Sequence, residues 1–181
     1  MIRGRFSFAL TAALLLLPIS SLKGQATHTA NGPGSYIAVG AIASGFQSDY
    51  GRQHLGGIGV FADANLYRRV GIEAEYRTLR YNATQGLRES SRMVGPKIST
   101  HGRGFRPYAK LLAGFGLFDY PYGNAKGSYL AIAPGAGLDW RIANGPVTIR
   151  IIDFEYQLWP QFTFGTLHPY GISSGVSVKV F

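Results

Sequence analysis

Apolar and polar residues alternate along this chain with a period of two, in segments of about ten residues set apart by glycine, proline and asparagine. From Val70 onward, Val70, Ile72, Ala74 and Tyr76 share one phase, and Gly71, Glu73, Glu75 and Arg77 share the other. Successive side chains of a β-strand leave opposite faces of its sheet, so the pattern predicts strands. Eight such segments follow one another: Ser35–Phe46, Ile58–Leu66, Val70–Tyr81, Arg92–Thr100, Pro107–Phe118, Tyr129–Ile142, Val147–Leu158 and Tyr170–Phe181. Each is close to the roughly 9 to 11 residues that a tilted strand needs to cross a bilayer.

The apolar phase is long and uncharged. Ile58, Val60, Ala62, Ala64 and Leu66 share it, as do Ala109, Leu111, Ala113, Phe115 and Leu117, and then Leu130, Ile132, Pro134, Ala136, Leu138 and Trp140. An arginine or lysine facing lipid at mid-bilayer costs roughly 2 to 4 kcal/mol, so a membrane-facing surface requires such a run. Arg80 and Arg150 fall on this phase, each near a strand end, where the cost drops and a long side chain reaches the interface. Pro96 and Pro134 have no amide proton for a ladder, which predicts a bulge or a missing hydrogen bond at each.

The polar phase is rich in glycine and carries both signs of charge. It holds Asp63, Glu73, Glu75, Asp139, Asp153 and Glu155 against Arg77, Arg92, Lys97, Lys110, Arg141 and Lys179. An eight-stranded barrel is only just wide enough for side chains to fill it. Unpaired buried charges are costly and paired ones tolerable, so these residues predict a salt-bridge network that plugs the interior. The alternative is a gate whose ion pairs rearrange to pass small solutes. Gly56, Gly57, Gly59, Gly114 and Gly116 suit crowding in a narrow barrel; no Walker lysine follows them to make a phosphate loop.

The connections alternate in length. Tyr67–Arg69 and Ala143–Pro146 are tight, the latter with an Asn-Gly turn signal, whereas Gln47–Gly57, Asn82–Ser91, Asp119–Ser128 and Trp159–Pro169 are longer, and Thr100–Arg106 is intermediate. Short turns on one side and longer loops on the other are the outer-membrane pattern. The fold expected is therefore all-β, an eight-stranded antiparallel up-and-down transmembrane β-barrel over residues 35–181. Its short turns, including Asn144, are expected to face the periplasm, and its long loops, including Gly123 and Gln161, the exterior. Aromatic residues favour the headgroup level. Phe46, Tyr50, Tyr81, Phe118, Tyr120, Tyr122, Trp159, Phe162 and Phe164 fall near the expected outer ends, and Tyr36, Tyr67, Phe105, Tyr108, Trp140 and Phe181 near the inner ones.

A leader precedes the strands. Arg3 and Arg5 stand before an apolar run from Phe6 to Leu17, and Gly24 and Ala26 mark a cleavage site. The run is shorter than the roughly 20 residues of a spanning helix and reads as a cleaved signal peptide over 1–26, with 27–34 a short periplasmic segment. Its removal takes three basic residues from the 18, leaving 15 against nine carboxylates. That basic balance carries no lysine- and arginine-rich run, so nucleic acid is not an expected partner. Without cysteine the chain has no disulfide and no thiolate metal site.

The chain resembles the small eight-stranded outer-membrane barrels, the superfamily of the membrane domain of outer-membrane protein A, related virulence barrels and opacity adhesins. The carriers are Asp63-Ala-Asn-Leu, Gly71-Ile-Glu-Ala-Glu-Tyr, Gly95-Pro-Lys, Pro107-Tyr-Ala-Lys, Gly137-Leu-Asp-Trp-Arg, Asp153-Phe-Glu-Tyr-Gln and Gly175-Val-Ser-Val-Lys-Val-Phe. The resemblance implies a bacterial outer-membrane location, a monomer, and passage through periplasmic chaperones to the barrel-assembly machinery, which would read the terminal aromatic Phe181. Outer-membrane lipid and lipopolysaccharide are the expected partners; Arg52, Arg80 and Arg88, on or beside the outer loops, are placed to meet lipopolysaccharide phosphates.

Some barrels of this size modify lipid A, which takes a histidine near a serine or carboxylate at the outer leaflet. His28 precedes the first strand, His54 and His168 lie in long loops and His101 in an inner turn, and no two show metal-ligand spacing. The expectation is a non-catalytic barrel without metal or cofactor, with a narrow channel and a lipid A-modifying enzyme as the alternatives.

Overall fold

The computed structural model describes residues 35–49, 53–81, 88–100, 104–119, 126–142, 145–161 and 165–180. The leader, His28, Arg52, His101, Gly123, Asn144 and Phe181 lie outside these, as do Tyr50, Tyr120, Tyr122, Phe162 and Phe164. Eight strands run β1 (Tyr36–Ser48), β2 (Gln53–Tyr67), β3 (Val70–Tyr81), β4 (Arg88–Ser99), β5 (Phe105–Asp119), β6 (Lys126–Arg141), β7 (Val147–Tyr156) and β8 (Tyr170–Lys179). Each pairs antiparallel with its sequence neighbours, and β8 returns to β1, so the sheet closes. Closure leaves no unpaired edge, which is what lets a sheet stand in lipid.

The apolar phase faces outward. Ile58, Val60, Leu111, Phe115, Ile172 and Val176 are all exposed, and residues of the other phase are buried in the lumen. At the short-turn rim the exposed Phe105 and Trp140 rings stack with centroids 6.2 Å apart.

β2, β4 and β6 begin five, four and three residues earlier than the apolar pattern suggests. The ladder there needs only backbone partners, so polar residues such as Gln53, His54, Glu89 and Ser91 extend it beyond the greasy band. Ser48 pairs with Gln53, leaving only 49–52 between β1 and β2 where a longer loop was expected. At Pro96 the β4–β5 register is unchanged but skips from the Val94 pair to the Lys97 pair, and at Pro134 the β6–β7 ladder stops at Gly135. Both prolines interrupt pairing, as the missing amide requires, and neither makes a bulge.

A bulge sits instead in β7. Leu138 pairs with Ile152 but Asp139 with Arg150, and on the other side Arg150 pairs with Gly175 but Asp153 with Ser173. One extra residue of β7 is accommodated there, and Ser174 Oγ donates to the Ile151 carbonyl at 2.7 Å. Ile151 and Ile152 consequently both face outward, and the phase changes between Arg150 and Asp153. Arg150, expected on the lipid face, is therefore 1% exposed inside the barrel.

Arg92 needs the opposite correction. It lies five residues from Lys97 on a strand without a bulge between them, so the two cannot share a face. Lys97 is buried and Arg92 is exposed on the outer surface, with its guanidinium 5.7 Å from the Tyr76 ring centroid. The aromatic belt is also thinner than expected. Tyr67, Tyr81, Phe105 and Trp140 are exposed at the rims, but Phe46, Tyr108, Phe118 and Trp159 are buried in the lumen and Tyr36 is half-buried at its inner mouth.

Candidate functional site

Glu73, on the inward phase of β3, is the hub of the lumen. Its Oε1 accepts from Lys110 Nζ at 2.9 Å and Arg150 Nη1 at 3.2 Å, and its Oε2 from Lys97 Nζ at 2.9 Å and Arg150 Nη2 at 2.6 Å. The Arg150 contact is the two-pronged guanidinium–carboxylate geometry that holds both groups in one orientation. Lys110 Nζ lies among four carboxylates, adding Glu75 Oε2 at 3.1 Å, Asp153 Oδ2 at 2.6 Å and Glu155 Oε2 at 3.3 Å. Arg77 bonds Glu75 and, at 2.9 Å, Glu155. Lys97 reaches Asp63 at 2.8 Å and Asp139 at 3.5 Å.

Six strands, β2 to β7, supply these charges, because a barrel of this width brings every wall within reach of a lysine or arginine. Three cations also rest on rings: Arg77 lies 4.2 Å from the Phe46 centroid, Arg150 3.8 Å from Phe61 and Lys97 Nζ 4.0 Å from Tyr108. β1 and β8 contribute a buried hydroxyl pair instead, Ser44 Oγ and Ser173 Oγ 2.8 Å apart.

Of the residues expected in the network, Asp63, Glu73, Glu75, Arg77, Lys97, Lys110, Asp139, Asp153 and Glu155 come together here. Arg141 and Lys179 lie lower, lining the inner mouth with Tyr36, Arg106 and Asp139. Arg92 faces out. Arg150 is the member that the alternation hides, and the consecutive Ile151 and Ile152 are the signal of the bulge that could have revealed it. Glu73, Glu75 and Asp153 offer oxygens within 4.8 Å of one another, as a metal site would, but the Lys110 ammonium stands among them.

Above this layer the lumen is mostly apolar, with the carboxylate of Glu89, between Leu79 and Phe118 in the register, and the polar side chains of Ser48 and Gln157 buried among the apolar ones. Phe46, Leu55, Leu79, Met93, Phe118, Trp159 and Leu167 form one buried cluster, with Trp159 fully buried. The chain after β7 brings the ring there. Leu158 pairs with Ile132, Trp159 pairs with Leu167, and Gln157 N donates to the Pro169 carbonyl at 2.7 Å. Gly116 supplies the space: a β-carbon there would run into the indole. Glu155, Gln157 and Trp159 keep one phase, and a hydrogen-bond chain follows them, from Trp159 Nε1 to Gln157 Oε1 at 2.9 Å and from Gln157 Nε2 to Glu155 Oε1 at 2.7 Å.

His168 is half-buried at the long-loop rim. Its Nδ1 lies 2.8 Å from the Tyr156 hydroxyl, and its backbone amide, not its ring, donates to Asp49. The ring thus partners a phenol, where an acyl-transfer site needs a serine or an orienting carboxylate.

No family model matches the chain, and no curated protein matches it in sequence. Solved structures match its shape. The crystal structure of neisserial surface protein A aligns with a TM-score of 0.62 at 15% identity, covering 80% of this chain and 96% of that one. The N-terminal β-barrel domain of Pseudomonas aeruginosa OprF aligns at 0.53 and 16% identity, covering 80% and 99%. With its strands closed in chain order and these shapes beside it, the chain has the fold of the small eight-stranded outer-membrane barrels.

Proposed function

We propose that the chain is a non-catalytic outer-membrane β-barrel, delivered by a cleaved signal peptide, with a plugged lumen, loops turned to the exterior and a structural or surface-interaction role. The observation that carries this reading is Lys110, whose ammonium lies within 3.3 Å of carboxylates from β3 and β7 and so ties opposite walls across the lumen. A buried ion lattice of this kind is rigid because losing one partner strands the others. The exposed apolar belt favours lipid around it, and the long-loop end faces outward in a chain that enters from the periplasm. The barrel is read as a monomer assembled by the barrel-assembly machinery.

A narrow channel is the second reading, and one observation favours it. Arg77 Nε, Tyr108 Oη and Asp153 Oδ1 are buried without a hydrogen-bond partner, and Arg150 Nε meets Asp139 Oδ1 only as an ion pair at 3.4 Å, so the lattice has bonding capacity left for exchanging pairs.

The test is labelling on intact cells combined with lipid A mass spectrometry. An epitope at Gln161 is expected to be reached by antibody and one at Gly145 to be protected, with the lipid A profile unchanged by expression. Reversed labelling would overturn the orientation, and a new lipid A species would overturn the non-catalytic reading.

A further inference from the structure

Three cations converge on the mouth at the short-turn end of the barrel: Arg106 on β5, Arg141 on β6 and Lys179 on β8. Each keeps the parity of a lumen residue on its own strand, Lys110, Asp139 and Ser177 respectively, so all three face the axis and not the surrounding lipid. Tyr36 of β1 gathers two of them. Its hydroxyl accepts from Arg106 Nη2 at 2.9 Å across the barrel, and its ring centre lies 5.8 Å from the Arg106 guanidinium carbon and 5.6 Å from Lys179 Nζ. The chain has nine carboxylates, of which Asp49, Glu89 and Asp119 lie at the opposite end. The others form the ionic layer, and of these Asp63 and Asp139 border the mouth. Both are engaged from the lumen side, by Lys97 at 2.8 and 3.5 Å and by Arg150 at 3.6 and 3.4 Å. Among the described residues no carboxylate comes within ion-pair distance of Arg106, Arg141 or Lys179. The mouth encloses a cavity of about 20 Å³, to which Thr148 and Ser177 add hydroxyls.

We propose that this mouth binds a carboxylate of a periplasmic peptide, either its free C-terminus or an acidic side chain. Charge, size and access choose that ligand. The lining holds three cations and two carboxylates. Its surplus of a single positive charge matches a carboxylate and not a phosphomonoester, which brings about −1.5 to −2. The cavity has room for about one or two waters, enough for a carboxylate head and too little for a sugar ring. Because the cations face the axis, the ligand must arrive through water as a slender chain, a route closed to the headgroups of lipids packed around the wall. With one N–H held by Tyr36, Arg106 retains others for a forked pair of bonds to the carboxylate, and the Thr148 and Ser177 hydroxyls can donate beside it. That the peptide is periplasmic rests on the orientation proposed above; the chemistry of the mouth does not.

The full chain would be refolded into phosphatidylcholine nanodiscs, which leave both mouths open to water, and titrated with acetyl-triglycine, with its C-terminal amide and with glycerol phosphate, the readout being backbone and arginine side-chain NMR shifts. Acetyl-triglycine is expected to shift Tyr36, Arg106, Thr148 and Ser177 saturably, the amide to leave them unmoved, and glycerol phosphate to bind more weakly. Arg106→Gln with Arg141→Gln should weaken the binding of acetyl-triglycine by about tenfold, equivalent to about 1.4 kcal/mol. If that variant fails to fold, as heat-modifiable gel mobility would show, the exposed Lys179→Gln carries the test, with a loss of about threefold expected for a cation at the water boundary. Arg88→Gln at the opposite end should bind as the parent does. No saturable shift in the folded parent, equal binding of the amide, equal or tighter binding of glycerol phosphate, or parent-like affinity in Lys179→Gln would overturn the site. Orientation is read separately by antibody labelling at Gly145 on intact cells: labelling there, with binding in nanodiscs intact, would overturn the periplasmic source of the peptide and not the carboxylate site.

Discussion

The lumen is filled in two ways that share one wall. Its middle layer is ionic, built around Glu73 and Lys110 by long side chains that converge from six strands. Its outer layer is mostly apolar, built around Trp159 where the chain runs on past β7 in the same register, Leu158 pairing with Ile132 and Trp159 with Leu167, and it keeps one buried carboxylate, Glu89. The ionic layer gains from reach and reciprocal bonding, and each member depends on the others. The apolar layer gains from shape, with Gly116 and the fully buried indole fitted to each other. The comparison teaches that adjacent depths of one lumen can be held mainly by charge or mainly by shape, even with a carboxylate such as Glu89 buried in the second, and that removing a part should have different consequences in the two layers.

The largest effect is expected from Lys110→Met. It keeps most of the length of the side chain but removes the cation that four carboxylates share, and should cost about 3 to 5 kcal/mol in urea unfolding from lipid vesicles. A loss below 1 kcal/mol would mean that water, and not Lys110, balances those carboxylates. In the apolar layer Trp159→Ala should cost about 3 kcal/mol through the cavity it leaves. There a simultaneous Gly116→Ala should recover part of the loss, since the added methyl enters vacated space; no recovery would show that the layer collapses rather than leaving a void.

Glu75→Gln is a milder cut into the ionic layer. Arg77 keeps Glu155 and Lys110 keeps Glu73, Asp153 and Glu155, so the expected cost is that of charge-assisted bonds, about 1.5 to 3 kcal/mol. Smallest of all is Ala74→Val, whose added methyl groups point away from the lumen and should change stability by less than about 0.5 kcal/mol. A large effect of Ala74→Val would mean that the two faces of β3 have been exchanged.

The two layers also differ in how far they can be read from sequence. Strand number, the outward phase and most of the ionic layer are legible, because Glu73, Glu75 and Arg77 obey an uninterrupted alternation on β3. Arg150 escapes because a bulge shifts parity, and a bulge is visible in sequence only as two adjacent outward residues, Ile151 and Ile152. Arg92 misleads for the converse reason, since charge suggests the interior while parity with Lys97 forbids it. The apolar layer is nearly invisible. Phe46, Phe118 and Trp159 look like interface aromatics by their position near strand ends, and only the continued phase of Glu155, Gln157 and Trp159 hints that the alternation runs on inward past the end of β7.

The central claim is that these layers together close the lumen, and it is tested most directly by single-channel recording of the refolded parent chain in planar bilayers, with Trp159→Ala beside it. The parent is expected to give no current steps, and the variant, with its ionic layer intact, to remain silent as well. Regular conductance steps from the parent would contradict the account and favour a channel whose ion pairs open, and steps from Trp159→Ala alone would show that the apolar layer, not the lattice around Lys110, is what seals the barrel.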